Sequence, residues 1–315
     1  FRSPLLEVEA KKLSNTDLRR GIIEEIIDFD TVQQFLPYVR TEGKAFVYNR
    51  EGTLATAQFV VPNIDIPESA STFVEVTATL RIIAGDVDVD NFINTTYSDL
   101  NPQKSIQIGL KAKAVARLFS QKMISGDSST VYNFASLGGP VAATNVEFDG
   151  LDVLCQGAMD YDIDPNGDVL SFDDIDVLLD KVKLGCDGLM TSRRTMRDFR
   201  KLCRAVSSVT PEYIKAPGGQ SVIAYDGKPI LRNDFVSDTW VTGSSGAVCS
   251  SMYAFRFNEQ DGVHGIYTGD AAGMQIIEIG QLEKRDATRT RIRWYVAMAL
   301  KSTLSLAILR GIKAA

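Results

Sequence analysis

The hydrophobic pattern is clearest between Asn101 and Gly126, where Ile108, Ala112, Val115, Phe119 and Met123 recur at four-three-four-four spacing. That period predicts a helix, with Asn101 as N-cap, Pro102 in the first turn and Gly126 as its stop. Leu110, Ala114 and Leu118 are expected to widen the apolar stripe, with Lys104, Lys111, Lys113, Arg117 and Lys122 on the opposite side. At about 1.5 Å per residue the helix is roughly 35 Å long, enough to be the beam of a flat subunit.

Around this beam the period changes several times. Residues 1–12 show little periodicity, whereas Asn15 or Thr16 can cap a helix to about Asp28, followed by a short helix from Asp30 to Leu36. Lys44–Arg50, a Glu51-Gly52 turn and Ala55–Val61 predict a hairpin, and Thr72–Ile83 alternates as a long strand. This segment has few large apolar residues with which to build a core and is expected to project or to lie on another subunit. Ser171 and Asp174 form a capping box opening a helix to about Leu184, then Asp187–Thr191 predicts a strand and Ser192–Val206 a helix. Later strands are expected at Val222–Tyr225, Met252–Phe257, Gly265–Tyr267 and Met274–Ile279. Thr288–Leu300 alternates as a long strand, with Leu304–Ile312 as its expected partner.

Composition narrows the classes. The 315 residues suggest about two domains, and 44% hydrophobic and 23% charged residues are ordinary for a globular chain. A net charge of −6 and a pI near 5.0 give no overall basic footprint for nucleic acid. Cys155, Cys186, Cys203 and Cys249 have no C-x-x-C spacing, which fits a reducing setting better than a disulfide scaffold. His264 is the single histidine, which argues against His-based triads and His-rich zinc sites. Phosphate-loop, dinucleotide and nucleophile-elbow motifs are missing from the sequence, so no enzyme is expected. The most apolar run, Trp294–Leu309, is broken by Lys301 and three hydroxyl residues, so no membrane span is expected.

The order of elements resembles the HK97-fold major capsid proteins of tailed bacteriophages. GIIEEIIDFDTVQQFLPYVRTEGKAFVYNRE resembles the N-arm leading into the extended loop, and NPQKSIQIGLKAKAVARLFSQKMISGD stands where the family has its spine helix. NVEFDGLDVLCQ is similar to the turn from peripheral into axial domain. LSFDDIDVLLDKVKLGCDGLMTSRRTMRDFRKLCRA and YDGKPILRNDFVS resemble axial elements, and TRTRIRWYVAMAL the returning peripheral strand. The resemblance implies an α+β, HK97-like fold: arm at 1–40, extended β loop at 41–85, peripheral domain at 86–150 and 285–315 with spine helix 101–126, and axial domain at 151–284. It implies a non-enzymatic subunit, without cofactor, that self-assembles into hexamers and pentamers of an icosahedral head around double-stranded DNA. Scaffold, portal and a decoration or cementing protein are implied partners; assembly would occur in the host cytoplasm and the product would be a virion capsid. Either a cleaved scaffolding segment ahead of Phe1 or plain truncation of the sequence would account for a chain that does not begin with Met. An encapsulin-type nanocompartment shell is the alternative within the fold.

Five constellations could carry more. No lysine lies between Lys44 and Lys104, so the loop-borne isopeptide cross-link of some relatives is not expected here. Asp162–Asp173 has the spacing of a twelve-residue calcium loop with Asp in place of Glu at position 12, the basis of a calcium-binding surface or adhesion module as a different-class reading; a plain turn before a helix cap is the other. Glu147–Asp180 carries eleven acidic residues and no cation, and Lys181–Arg204 eight basic against two acidic. Those runs are either solvated or internally paired surfaces, or complementary edges of adjacent subunits. Arg289, Arg291 and Arg293 share one strand face, as a polar sheet face or as a row of contacts between capsomers. The basic side of the long helix faces either solvent or DNA phosphates.

Overall fold

The computed structural model describes residues 32–97, 103–135, 139–140, 142–155, 157–205, 212–215, 221–242, 246–269 and 273–314. The expected arm helix from Asn15 and the caps Asn101 and Pro102 lie outside these residues. After one 3-10 turn, Val32–Gln34, the order is β1 (Tyr38–Arg40), β2 (Ala45–Glu51), β3 (Phe73–Thr79), β4 (Arg81–Asp90), α1 (Asn91–Tyr97), α2 (Gln103–Ser125) and α3 (Leu151–Leu154). Next come β5 (Asp160–Asp162), β6 (Asp168–Val169), α4 (Phe172–Lys181), β7 (Gly188–Thr191), α5 (Arg193–Ala205), β8 (Glu212–Lys215), β9 (Ser221–Tyr225) and β10 (Lys228–Arg232). The chain closes with β11 (Trp240–Thr242), β12 (Ala247–Phe255), β13 (Val263–Tyr267), β14 (Gln275–Gln281), β15 (Ala287–Leu300) and β16 (Leu306–Lys313).

Three sheets result. The fourteen residues of β15 organise the first: β4 runs antiparallel along one side, while β14 and then β13, extended by parallel β1, line the other. Helix α2 lies on this sheet, pressing Val115, Phe119, Met123 and Ile124 against Ile83, Ile292, Trp294, Val296 and Met298. Phe119 and Trp294 pack with their rings tilted at 45° and centroids 4.6 Å apart. Gly126 is where α2 must stop close to another backbone, because a Cβ there would collide with the carbonyls of Lys122 and Phe148.

The second sheet has the order β5/β6-β16-β12-β7-β10-β9-β8, with β11 on β12. Its central strands alternate between two cores, as a pleat of period two requires. Met190, Tyr253, Phe255, Leu306 and Ile308 join the core beneath α2, whereas Leu189, Met252, Ala254, Ala307 and Leu309 face α4 and α5. Because β16 is buried on both faces, LAILRGI is apolar at successive positions, interrupted only by Arg310. Asp226 and Gly227, both at positive φ, make the tight β9–β10 turn.

Several expectations change. Leu306–Lys313 pairs with β12, β5 and β6, not with β15, and β13 and β14 pair with β15, so the sheets cross the boundary expected at 284. The hairpin strand opposite β2 is Phe73–Thr79, not Ala55–Val61. The expected strand 72–83 breaks at Leu80, whose N–H bonds to the Lys44 carbonyl, and continues as β4 in another sheet. Leu110, Ala114 and Leu118 are exposed and do not widen the apolar stripe. At about 100° per residue Leu110 points away from the side formed by Val115, Phe119 and Met123.

Candidate assembly surfaces

The β2–β3 pair forms the third sheet, and between its strands residues 51–72 are exposed throughout. Leu54, Phe59, Val61, Ile64 and Ile66 are all more than half exposed, with Phe73 and Val74 continuing the series onto β3. Single exposed apolar residues are ordinary, but a row of this length on one projecting loop marks a contact surface. The loop keeps its shape through its own hydroxyls: Thr53 and Thr72 bond at 2.8 Å, Ala55 N–H donates to Ser71 at 3.0 Å, and Ser69 donates to the Thr56 carbonyl at 2.9 Å.

Its base is fastened to the body. Phe46, Tyr48 and Arg50 fall on one face of β2 by strand alternation. The Tyr48 hydroxyl donates to the Leu300 carbonyl at 2.6 Å, and Arg50 donates to the carbonyls of Lys301, at 2.7 Å, and Leu300. Phe46 meets the ring of His264 edge-on at 5.9 Å and lies under the Lys301 ammonium. His264 itself is wholly buried, and burial holds its basicity below the usual histidine range. These anchors seize the turn that carries the chain from β15 to β16.

The arginine row of β15 is satisfied across the strand pair. Arg289 bonds both oxygens of Asp88 at 2.6 Å, and Arg291 bonds those of Asp86 at 2.7 and 2.8 Å. Arg291 holds the Asp86 carboxyl below its ordinary range. Arg293 turns to Gln275 and the Tyr295 ring. This is a polar sheet face within one chain.

The cations of α2 are half-buried flanks. Lys104 pairs with Glu278, Lys122 with Glu147, Lys111 lies against Gly85, and Arg117 covers the Phe235 ring. The outward face carries Ser105, Gly109, Leu110, Ala114, Leu118, Gln121 and Ser125, none of them charged. The expected basic surface is therefore a neutral one with cations tucked along its borders.

The acidic run divides. Asp152 and Asp160 hold Arg310, with Nε 2.7 Å from Asp160 and a terminal nitrogen 3.3 Å from Asp152. The same Asp152 oxygen accepts from the Tyr253 hydroxyl at 2.9 Å, and the guanidinium covers the Trp240 ring. Burial nonetheless raises the Asp152 carboxyl above its usual value. Asp174 completes the cap on Ser171, and Asp176 accepts from Tyr225. Asp164 accepts from the Asn166 N–H and Asp168 from Val169, as turn carboxylates do. Among the described residues no three His, Cys, Asp or Glu side chains converge as metal ligands, and Asp162–Asp173 is a turn between two short strands and a capped helix. None of the four cysteines forms a disulfide; burial pushes the Cys155 thiol up to about 12 and the Cys186 thiol up to about 11, far from nucleophilic poise. Among the described residues no helix is long and apolar enough to cross a membrane.

No family model matches the sequence, and no curated protein matches it. Solved structures do, over nearly the whole chain. The holo-SrpI encapsulin complex from Synechococcus elongatus superposes with a TM-score of 0.71 at 16% identity, covering 99% of this chain and 97% of that one. The capsid of Myoviridae phage XM1 gives 0.61 at 10% identity, covering 94% and 96%. The capsid of the native GTA particle gives 0.60 at 13% identity, covering 95% and 94%.

Proposed function

We propose that this chain, whose fold is the HK97-like fold of phage capsids and encapsulins, is a shell-forming structural subunit, and specifically the major capsid protein of a tailed-phage head. The observation that carries the reading is the projecting loop. Its apolar side chains are exposed among the described residues, and assembly over a neighbouring copy removes them from water. On this reading the copies close as hexamers and pentamers around double-stranded DNA. The neutral outward face of α2 then makes at most non-specific contact with phosphate. With no lysine between Lys44 and Lys104, the shell coheres by buried area distributed over many contacts, or with a cementing protein, and not by a loop-borne isopeptide bond. Arm, extended loop, peripheral and axial units follow the architecture of the fold, with the β15–β16 turn joining the last two.

A protein-cargo compartment is the second reading, favoured by the TM-score of 0.71 to an encapsulin against 0.60 and 0.61 to the two capsids. Negative-stain microscopy and light scattering of the purified protein test the shell itself; a monodisperse monomer at high concentration overturns it. The absorbance ratio at 260 and 280 nm of particles taken from producing cells then tests the contents. Packaged DNA supports the head, and nucleic-acid-free particles carrying a co-purified protein support the compartment.

A further inference from the structure

The described residues leave one set of charges unexplained. Arg193, Arg197, Arg200 and Arg204 lie within about 60° of one another on α5, at four-three-four spacing, and all are exposed. Together with Arg194, the first three border an open recess of about 610 Å³ whose one carboxylate, Asp238, is already held by Arg194. Among the described residues, the ion pairing of the stripe amounts to Arg197 against the adjacent Asp198 at 3.8 Å. On the neighbouring helix α4, Asp173, Asp176 and Asp180 also share one exposed side, where Asp176 accepts from the Tyr225 hydroxyl. One end of each stripe is badly placed for its own helix: Arg193 stands at the positive end of the α5 dipole, and Asp180 in the last turn of α4, at its negative end.

We infer that α5 of one subunit pairs antiparallel with α4 of a second copy, joining Arg193 to Asp180, Arg197 to Asp176 and Arg200 to Asp173. The two spacings fit without adjustment. Arg193, Arg197 and Arg200 step by four and three, and Asp180, Asp176 and Asp173 step back by four and three, so each triad spans about 10 Å of helix. In that register each misplaced end charge meets its opposite, and the helix dipoles oppose. The donor and acceptor surfaces are different elements of the same chain, so the contact is head-to-tail and repeats from copy to copy until a ring closes. It deepens the shell reading, on which it rests, by naming the charges that set the register of neighbours in a capsomer.

The test is charge exchange in the full-length protein, with the parent assembled alongside. Arg193→Glu with Arg200→Glu is expected to lower the yield of closed particles at low salt by at least about tenfold while the subunit melts like the parent. Adding Asp173→Arg with Asp180→Arg to that chain recreates both pairs with reversed sign and is expected to restore the yield. High salt should weaken parent assembly and narrow the gap between parent and variant. Normal assembly of the first variant, or no recovery in the fourfold variant with a parent-like melt, overturns the pairing. Normal assembly with less retained nucleic acid assigns the arginines to a polyanion and overturns it as well. A parent that stays monomeric instead removes the shell reading, a result these variants do not produce.

Discussion

Arg310 is the cation on which the interior of the nine-stranded sheet depends. It is almost fully covered, lies on Trp240 and answers two carboxylates, so removing it leaves Asp152 and Asp160 facing each other without a counter-charge. Arg310→Met should therefore cost about 3–5 kcal/mol, read from urea unfolding of the subunit. Asp152 behaves in the opposite sense. Because burial raises its carboxyl above the ordinary 3.8, the folded chain prefers the protonated form. The stability from this group is complete below that ordinary value and is lost as pH rises through the folded value. Asp152→Asn keeps an acceptor for Tyr253 and leaves Arg310 to Asp160. It should be at least as stable as the parent at pH 7, and the advantage should vanish in acid, measured as unfolding midpoints across pH. The Arg291–Asp86 pair is an exposed counterpart, and a double-mutant cycle there should return roughly 0.5 kcal/mol, less in high salt.

Elements were legible in the sequence wherever their cause is local. The cap at Ser171 is complete within four residues, with the hydroxyl accepting from the Asp174 N–H and the Asp174 carboxylate accepting from the Ser171 N–H. Ser171→Ala should cost about 1 kcal/mol, seen as a lower urea midpoint with unchanged slope. The core stripe of α2 was legible for the same reason, since Val115, Phe119 and Met123 repeat within the helix itself. Leu110 and Leu118 were misread because they are apolar by type while the rotation of the helix turns them outward, and only the packing on β15 fixes that rotation. Strand partners were harder. Nothing near Lys44–Arg50 announces that its partner begins at Phe73, beyond a loop whose hydroxyl bonds hold it out of the sheet. LAILRGI shows that a strand is buried on both faces, but the choice between β12 and β15 as its neighbour is a long-range matter. The charge runs were visible as runs; which carboxylates turn inward to Arg310 or to a cap, and which stay on the surface, emerged only with the fold.

The whole molecule is a two-sheet body with a projecting loop, and the loop should matter to assembly without mattering to folding. Phe59 and Ile66 are largely or wholly exposed in the single chain, so Phe59→Asp with Ile66→Asp should leave the subunit's melting temperature unchanged. The same variant should abolish closed particles in negative stain, because two carboxylates would have to be buried without partners at the contact. Where the loop joins the body has a further, mechanical meaning. Tyr48 and Arg50 hold the carbonyls of Leu300 and Lys301, the short joint between the long strand of one sheet and the buried strand β16 of the other. A pull on the loop tip enters the body at that joint and is shared from there between both sheets. If copies meet through the loop as proposed, the loop is a lever with its fulcrum at the seam, and tension on it passes into the backbone of both sheets.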